Sequence, residues 1–561
     1  MSPEGGTLGI TIRILEGCLL GWAFLPWAKL LGARSFRRMF PRACFALLAA
    51  GIALAVTAVL LALYFPPGFH ILTAAVAILV IALMIGNRPR SKVTAPLPPG
   101  NVSVAESIEA LADRRFYSKK FARHGPIFKM AQFHHKVVCV LGIERGHRLF
   151  RERADRIGPC PLPFSDEVAG GFLRYMDDAT YEKYGPLFRK AFSGTTTSTA
   201  TKITRSSARG QLACMAARAG ENEGRGPRPG PFVHAIVHDA LAASLFGIVP
   251  GTAAADELAT LTREFGAQDL NQRLDDRTRA ALGKLRGLMR SKAGALQSAA
   301  ALQSDAAADE PPNALAELHR IDSSMPDDVC IDNMLFILKI STANVSSLLH
   351  WILQMLGENK EWVARIREDR GSGAGDSRRQ DIANRVILET LRLAQSEYLY
   401  RAVHTDFEFE GVRYPKGWLI RQCVWESHRD PALFDRPESF DPDRHLKEDF
   451  PKQAYSPFGC PHHGCNGVAL TYAIAKTFME ELADYDWDAF GADRVERDFR
   501  HWSHWRPGAD FSLALRKVPG LQTPLYEADA INARPECPAA SAPGPARSDS
   551  VDESRPPETR R

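Results

Sequence analysis

The pattern of apolar and polar positions changes character along the chain. Residues 43–65, ACFALLAAGIALAVTAVLLALYF, carry no charge and exceed the ~20 residues that cross a bilayer core. A second run, residues 68–87, GFHILTAAVAILVIALMIGN, follows after Pro66 and Pro67. Two such segments around a turn signal predict a transmembrane helical hairpin, because each helix satisfies its own backbone hydrogen bonds in lipid. Arg34, Arg37, Arg38 and Arg42 precede it, and Arg88, Arg90 and Lys92 follow it. That bias predicts an integral membrane protein with both hairpin ends, and the main domain, on the cytoplasmic side. Within the N-terminal segment 1–42, residues 9–31 hold Trp22, Trp27, Arg13 and Lys29 in an apolar stretch that either lies along the interface or forms a third span.

After the hairpin segment 43–92, the Pro-rich linker 93–100 ends in APLPPG. From 101 to 526 a helical period dominates. It is broken by short alternating stretches at KVVCVLGI (136–143), DFEFEGVRYPKGWLIRQC (406–423) and FSLALRKV (511–518), each of strand length. The expected fold class is mainly α with small β-sheets, an α+β domain. ENEGRGPRPGP (221–231) and GALQSAAALQSDAAADEPPN (294–313) are expected as surface connections, the second partly helical. The tail, 527–561, lacks a hydrophobic pattern and is expected to be disordered.

Composition sharpens this picture in two respects. With 45% hydrophobic and 24% charged residues in 561, the chain can bury a large core. Its net charge of +5 is mild, and its arginines are spread without the aromatic-interleaved basic stripe of a nucleic-acid binder, which argues against a nucleic-acid partner. Ten cysteines, sparse and irregular, do not form the framework of a small secreted protein and fit a reducing compartment.

Candidate chemistry concentrates in SPFGCPHHGCNGVALTYAIAKTFMEEL, residues 456–482. Cys460, His462, His463 and Cys465 crowd into six positions, whereas structural zinc sites draw ligands from separated pairs. Four residues separate the cysteines, unlike a redox C-x-x-C turn. The third reading is a single thiolate, Cys465, just before a helix N-terminus, where backbone N–H groups and the helix dipole favour negative charge. It accounts for the glycines and the helix together.

At this loop the chain resembles the cytochrome P-450 family, whose haem-ligand loop reads F-G-x-G-x-(R/H)-x-C-x-G. Phe458, Gly459, His463, Cys465 and Gly467 stand in register, with Pro461 at the second glycine. ILETLRLA supplies the family's E-x-x-R pair as Glu389 and Arg392, on one helical face. ESFDPDRH supplies F-x-P-x-R through Phe440, Pro442 and Arg444. The resemblance spans about 100 to 525 and implies the cytochrome P-450 fold with haem b, iron protoporphyrin IX, held by Cys465 as the metal's axial thiolate. By the same resemblance Phe458 packs beside the thiolate, Gly459 and Gly467 shape the loop, and His463 and Arg401 pair with the haem propionates. Glu389, Arg392 and Arg444 form a structural cluster. Cys460, His462, His134 and His135 carry no implied role.

The chain departs from the family in two helices. The family's oxygen-activation helix carries (A/G)-G-x-(D/E)-T, whose acid and alcohol relay protons. Aligned on Trp351, DNMLFILKISTANVSSLLHWILQML (332–356) places Ser341 at the glycine, Ala343 at the acid and Asn344 at the threonine. The candidate catalytic residues are therefore Asn344, Thr342 and Ala343, with a non-titrating amide in place of the relay. In DATYEKYGPLFRKAF (178–192), Tyr181 and Gly185 replace the histidine and arginine frequent in the family, with Lys183, Tyr184 and Arg189 as substitutes. Lys339, on the helical face of Ala343, is a candidate for an acidic substrate headgroup or for solvent.

The resemblance implies a monooxygenase that inserts one atom of O2 into a lipophilic substrate, with electrons from a separate reductase or ferredoxin. No flavin or nicotinamide fingerprint lies in the chain. The departures keep two alternatives open: a peroxygenase or hydroperoxide-rearranging enzyme that needs no reductase, and a non-catalytic membrane haem-binding protein.

Overall fold

The apolar stretch around residue 340 folds as one helix, Asp327–Glu358, of 32 residues and about 48 Å, which threads the domain centre. The computed structural model describes residues 71, 93–132, 135–160, 172–173, 176–266, 274–302, 311–370, 381–394, 398–447, 450–459, 463–497 and 505–521. Apart from Ile71, the expected hairpin lies outside the described residues, as do the segment 9–31, the tail, Cys460, Pro461, His462 and His134.

Helices of eight residues or more run in the order α1 Val104–Ala112, α2 Phe116–His124, α3 Ile143–Glu152, α4 Asp178–Ala191, α5 Thr195–Ala217, α6 Gly230–Phe246, α7 Ala253–Gly266, α8 Asp276–Leu302, α9 Ala314–Ile321, α10 Asp327–Glu358, α11 Lys360–Asp369, α12 Ile382–Ala394 and α13 Val468–Leu482. Their starts follow local chemistry. The Asp177 carboxylate accepts from the Thr180 backbone N–H at 2.9 Å, and the Asn313 amide oxygen accepts from Ala316 at 2.9 Å. Gly247, at φ 69°, closes α6 in the left-handed conformation that a side chain disfavours.

Strands β1 Ile127–Gln132, β2 His135–Val140, β3 Ile157–Gly158, β4 Tyr398–Val403 and β7 Leu419–Cys423 form one sheet in the order β1-β2-β7-β4-β3. β2 runs parallel to β7, with Val137 opposite Leu419, and β4 antiparallel to β7, with Arg401 opposite Ile420. Two-stranded sheets pair β5 Phe407–Phe409 with β6 Val412–Tyr414, β8 Tyr485–Phe490 with β11 Ser512–Lys517, and β9 Val495–Arg497 with β10 Trp505–Pro507. The three alternating stretches thus form strands, because each has its apolar positions on a packed face.

Among the described residues, α10 is the one helix long and apolar enough to cross a bilayer. Its length is instead buried in protein, against α6, α8, α12 and α13. Even its polar residues are packed: Asp332 takes a bidentate pair from Arg286 at 2.7 and 2.9 Å, and Asn333 binds the Val329 carbonyl at 2.7 Å. The 294–313 stretch is helical to Leu302, within α8. Cys139, Cys160, Cys330, Cys423 and Cys465 are free thiols, and Cys214 on α5 is disulfide-bonded.

Candidate active site

Between α10 and the loop before α13 lies a cleft of about 230 Å³, partly open to solvent. Its floor is Ser456–Gly459 and His463–Gly467, its roof is Phe336, Ile337, Ile340, Ser341, Asn344, Val345 and Leu348 on α10, and Tyr181, Arg401 and Leu399 close the sides.

Cys465 lies on this floor and is exposed to the cleft. Its backbone N–H donates to the Phe458 carbonyl at 2.9 Å, which closes the loop on itself. Gly459 makes that closure possible at φ 92°, a conformation suited to glycine. Gly467 differs: at φ −89° it needs no special backbone freedom, and a Cβ there would rest 3.8 Å from the Cys465 Sγ, in ordinary contact. Phe458 packs toward Tyr472 on α13, with ring centroids 5.8 Å apart. Ser456 starts the loop by donating its N–H to His428 Nε2 at 3.0 Å and its hydroxyl to the Gly459 carbonyl at 2.7 Å.

Arg401 and His463 both line the cleft. Arg401 projects from β4, donates to the Tyr400 carbonyl at 2.9 Å and passes over the Phe150 ring. His463 Nε2 meets the Asp178 carboxylate of α4 at 2.9 Å. Of the proposed substitutes on α4, Lys183 lies over the Tyr184 ring, while Arg189 reaches the Tyr181 hydroxyl at 3.4 Å.

Beneath the loop, Glu389 and Arg392 form a bidentate pair at 2.8 and 2.9 Å with neither side chain exposed. Arg392 also donates to the carbonyls of His428, Pro437 and Ser439. Arg444 Nε approaches Glu389 at 3.4 Å. His445 completes the carboxylate at 3.0 Å, a partner that the motif alone does not name. Burial pushes the Glu389 carboxyl up, but the hydrogen bonds from Arg392 and His445 outweigh it and hold its pKa at about 2.

The roof divides the catalytic candidates. Asn344 and Ser341 face the cleft. Thr342 does not: it is buried and returns its hydroxyl to the Leu338 carbonyl at 2.7 Å, the back-bond favoured by a helical threonine. Ala343 is also absent from the cleft lining. Lys339 turns away, donating to the Phe265 carbonyl at 2.7 Å near the end of α7 and lying over the Phe265 ring, so no acidic headgroup meets it in the cleft. The last turn of α7 offers unpaired carbonyls, which draws a helix-flanking cation there.

The donor set fits an iron porphyrin: one soft thiol on the floor, an arginine and a histidine in the lining and an apolar roof. Cys465 would hold the metal, and His463 and Arg401 would meet the propionates.

Comparisons with known proteins agree. Residues 295–493 match the family model Cytochrome P450. Abscisic acid 8'-hydroxylase 1 of Arabidopsis thaliana is 31% identical over 183 residues, 30% of this chain and 38% of that protein. Cytochrome P450 family 716 subfamily AD polypeptide 4 of Melia azedarach is 29% identical over 32% of this chain and 41% of that protein. The chain thus spans about two fifths of the length of these curated relatives. In structure, retinoic acid bound cyanobacterial CYP120A1 superposes with a TM-score of 0.62 at 21% identity, over 76% of this chain and 100% of that one. A zebra fish cytochrome P450 with abiraterone superposes at 0.57 with 15% identity, over 72% of this chain and 98% of that one. Residues 295–493 are thus similar to the cytochrome P450 family, and the fold of the domain is that of solved cytochrome P450 structures.

Proposed function

We propose that the chain is a membrane-anchored haem-thiolate monooxygenase that inserts one oxygen atom from O2 into a C–H bond of a lipophilic substrate. A separate reductase or ferredoxin supplies two electrons, and the second oxygen atom leaves as water. The observation that carries this reading is Cys465 at the floor of a cleft roofed by apolar side chains of α10.

Bound haem b would supply the oxygen activation. This chain's residues do the rest. Cys465 presents the thiolate, and His463 and Arg401 orient the propionate rim. Phe336, Ile337 and Ile340 hold apolar substrate surface and exclude water. Asn344 and Ser341 offer hydrogen bonds over the reacting centre and can hold a water that carries the proton, since neither group titrates. The hairpin of residues 43–87 and the arginines around it support a cytoplasmic-side domain that takes substrate from the bilayer.

Asn344 favours a second reading. An amide at the relay position suits a peroxygenase or a hydroperoxide-rearranging enzyme, which needs no protonated dioxygen. One experiment separates them. The purified protein is reduced under carbon monoxide, and abscisic acid and retinoic acid, named for two of the similar proteins, are the first ligands screened by spectral shift. Turnover that requires both NAD(P)H and a redox partner supports the first reading. Turnover with a hydroperoxide alone replaces it with the second.

A further inference from the structure

Tyr181 and Gly185 depart from the family pattern together, and the geometry shows that they depend on each other. A Cβ at Gly185 would lie 2.8 to 3.0 Å from Cζ, Cε1 and Cε2 of the Tyr181 ring, closer than atoms tolerate, so the ring occupies space that only glycine leaves. Seated there, the buried ring packs on His463 with centroids 4.1 Å apart. Its hydroxyl reaches the Gly464 carbonyl at 3.3 Å and the Asn466 amide oxygen at 3.4 Å. Arg189, two turns on, donates to that hydroxyl at 3.4 Å. One face of α4 thus touches 463, 464 and 466, on both sides of Cys465.

We propose that Tyr181 is a positioning residue of the thiolate loop, its hydroxyl relaying the positive charge of Arg189 to the residues flanking Cys465. The proposal rests on the haem-thiolate reading. Contacts of 3.3 to 3.4 Å are long, so each adds little to stability. Their effect is electrostatic. A hydroxyl proton aimed at the Gly464 carbonyl polarises the Gly464–Cys465 peptide and makes the Cys465 N–H more positive beside the sulfur. Positive potential at sulfur weakens its donation and favours the reduced metal. Tyr181 therefore couples Arg189 to the loop and also restrains it.

The test compares Tyr181→Phe, which keeps the ring, with Arg189→Gln at an exposed position. Three readouts are taken: haem content, the ferric–ferrous midpoint potential, and amide hydrogen exchange of 463–467 in haem-loaded and haem-free protein. Tyr181→Phe is expected to retain haem and its thiolate-type Soret band, to move the potential to more negative values, and to speed exchange in both forms. Arg189→Gln is expected to shift the potential the same way by less, because solvent screens an exposed charge, and to shift it less still in the Tyr181→Phe background. If Tyr181→Phe does not fold, Arg189→Gln alone reads the relay. An unmoved potential in either variant overturns the proposal, as does lost haem with an unmoved potential, which would make Tyr181 a rim contact only. Failure of the haem reading is separate: the unsubstituted protein would then show no thiolate-type band.

Discussion

Glu389 receives Arg392 through two parallel hydrogen bonds, 2.8 and 2.9 Å, with both side chains wholly removed from solvent. Neither residue touches the cleft. Together they anchor the backbone at His428, Pro437 and Ser439, on which the thiolate loop rests. Arg392→Leu should therefore cost about 3–5 kcal/mol, the usual result of leaving one buried charge unpaired. It also removes the donors to three carbonyls. Denaturant unfolding measures the loss, and a variant within about 1 kcal/mol of the parent would show that the pair is dispensable.

The same pair has an acid signature. The Glu389 pKa of about 2 lies below the ordinary value of 4.5, so its contribution is full above 4.5 and is lost as pH falls toward 2. The size is roughly 3 kcal/mol. Stability measured across that interval should be flatter in Arg392→Leu than in the parent. An unchanged slope would assign the acid loss to other carboxylates.

His428 adds a loss at milder acidity. Its Nε2 accepts the Ser456 N–H, so the ring must be neutral there. Burial, then the charges of Arg392 and Arg429 and the nearby His445, push its pKa down to about 3, while Glu389 pulls the other way. A histidine whose pKa falls on folding destabilises the fold as pH drops below its ordinary 6.5, progressively until about 3. His428→Phe keeps an aromatic ring beside Tyr455, 5.1 Å away, but strands the Ser456 N–H at a cost of about 1–3 kcal/mol. The variant should be less stable at neutral pH and less sensitive to acid between 6.5 and 3. Parallel stability curves for parent and variant would count against the role of His428.

Much of this architecture was legible in the chain because its signals are local. Cys465 before a helix, Glu389 and Arg392 one turn apart, and Arg444 after proline all declare themselves within a few residues. Helical and alternating periods located α10 and the strands for the same reason. The contacts that finish the site are not local. Asp178 meets His463 and Tyr181 meets Gly464 across more than 280 residues, and the distance in sequence conceals them. His445 stood beside Arg444, but only the packed helix shows it facing Glu389. Lys339 shows the limit of face arithmetic. Its place on the helix was readable, while the carbonyl that claims it belongs to the end of another helix. Gly467 is a milder case, since its ordinary φ shows that the loop's unusual backbone sits at Gly459.

Asn344 faces the cleft where Thr342 and Ala343 do not. Under the monooxygenase reading, Asn344→Leu removes the hydrogen bonds that hold water over the reacting centre. Product formed per electron consumed should fall by about 100-fold, the lower end of what a positioned proton-transfer group contributes, with peroxide released instead. Thr342→Val, which leaves the cleft unaltered, should stay near the parent. Equal coupling in Asn344→Leu and the parent would move the proton route elsewhere.

The thiol itself gives the most direct prediction. Cys465→Ser replaces a soft, readily ionised donor with a hydroxyl that stays protonated at neutral pH, and it changes little in volume. The loop should persist, since its closure uses the Cys465 backbone N–H, the Gly459 turn and the Ser456 bonds rather than the sulfur. Unfolding midpoints of the haem-free parent and variant should therefore agree. Haem retention should not, because the bond that Cys465 would make to the iron is removed. Any pigment that binds should lack the red-shifted carbon monoxide band that an electron-rich thiolate produces, and substrate oxidation should fall to background. Retention of that band in the serine variant would assign the axial ligand to another residue and remove the basis of the proposed chemistry.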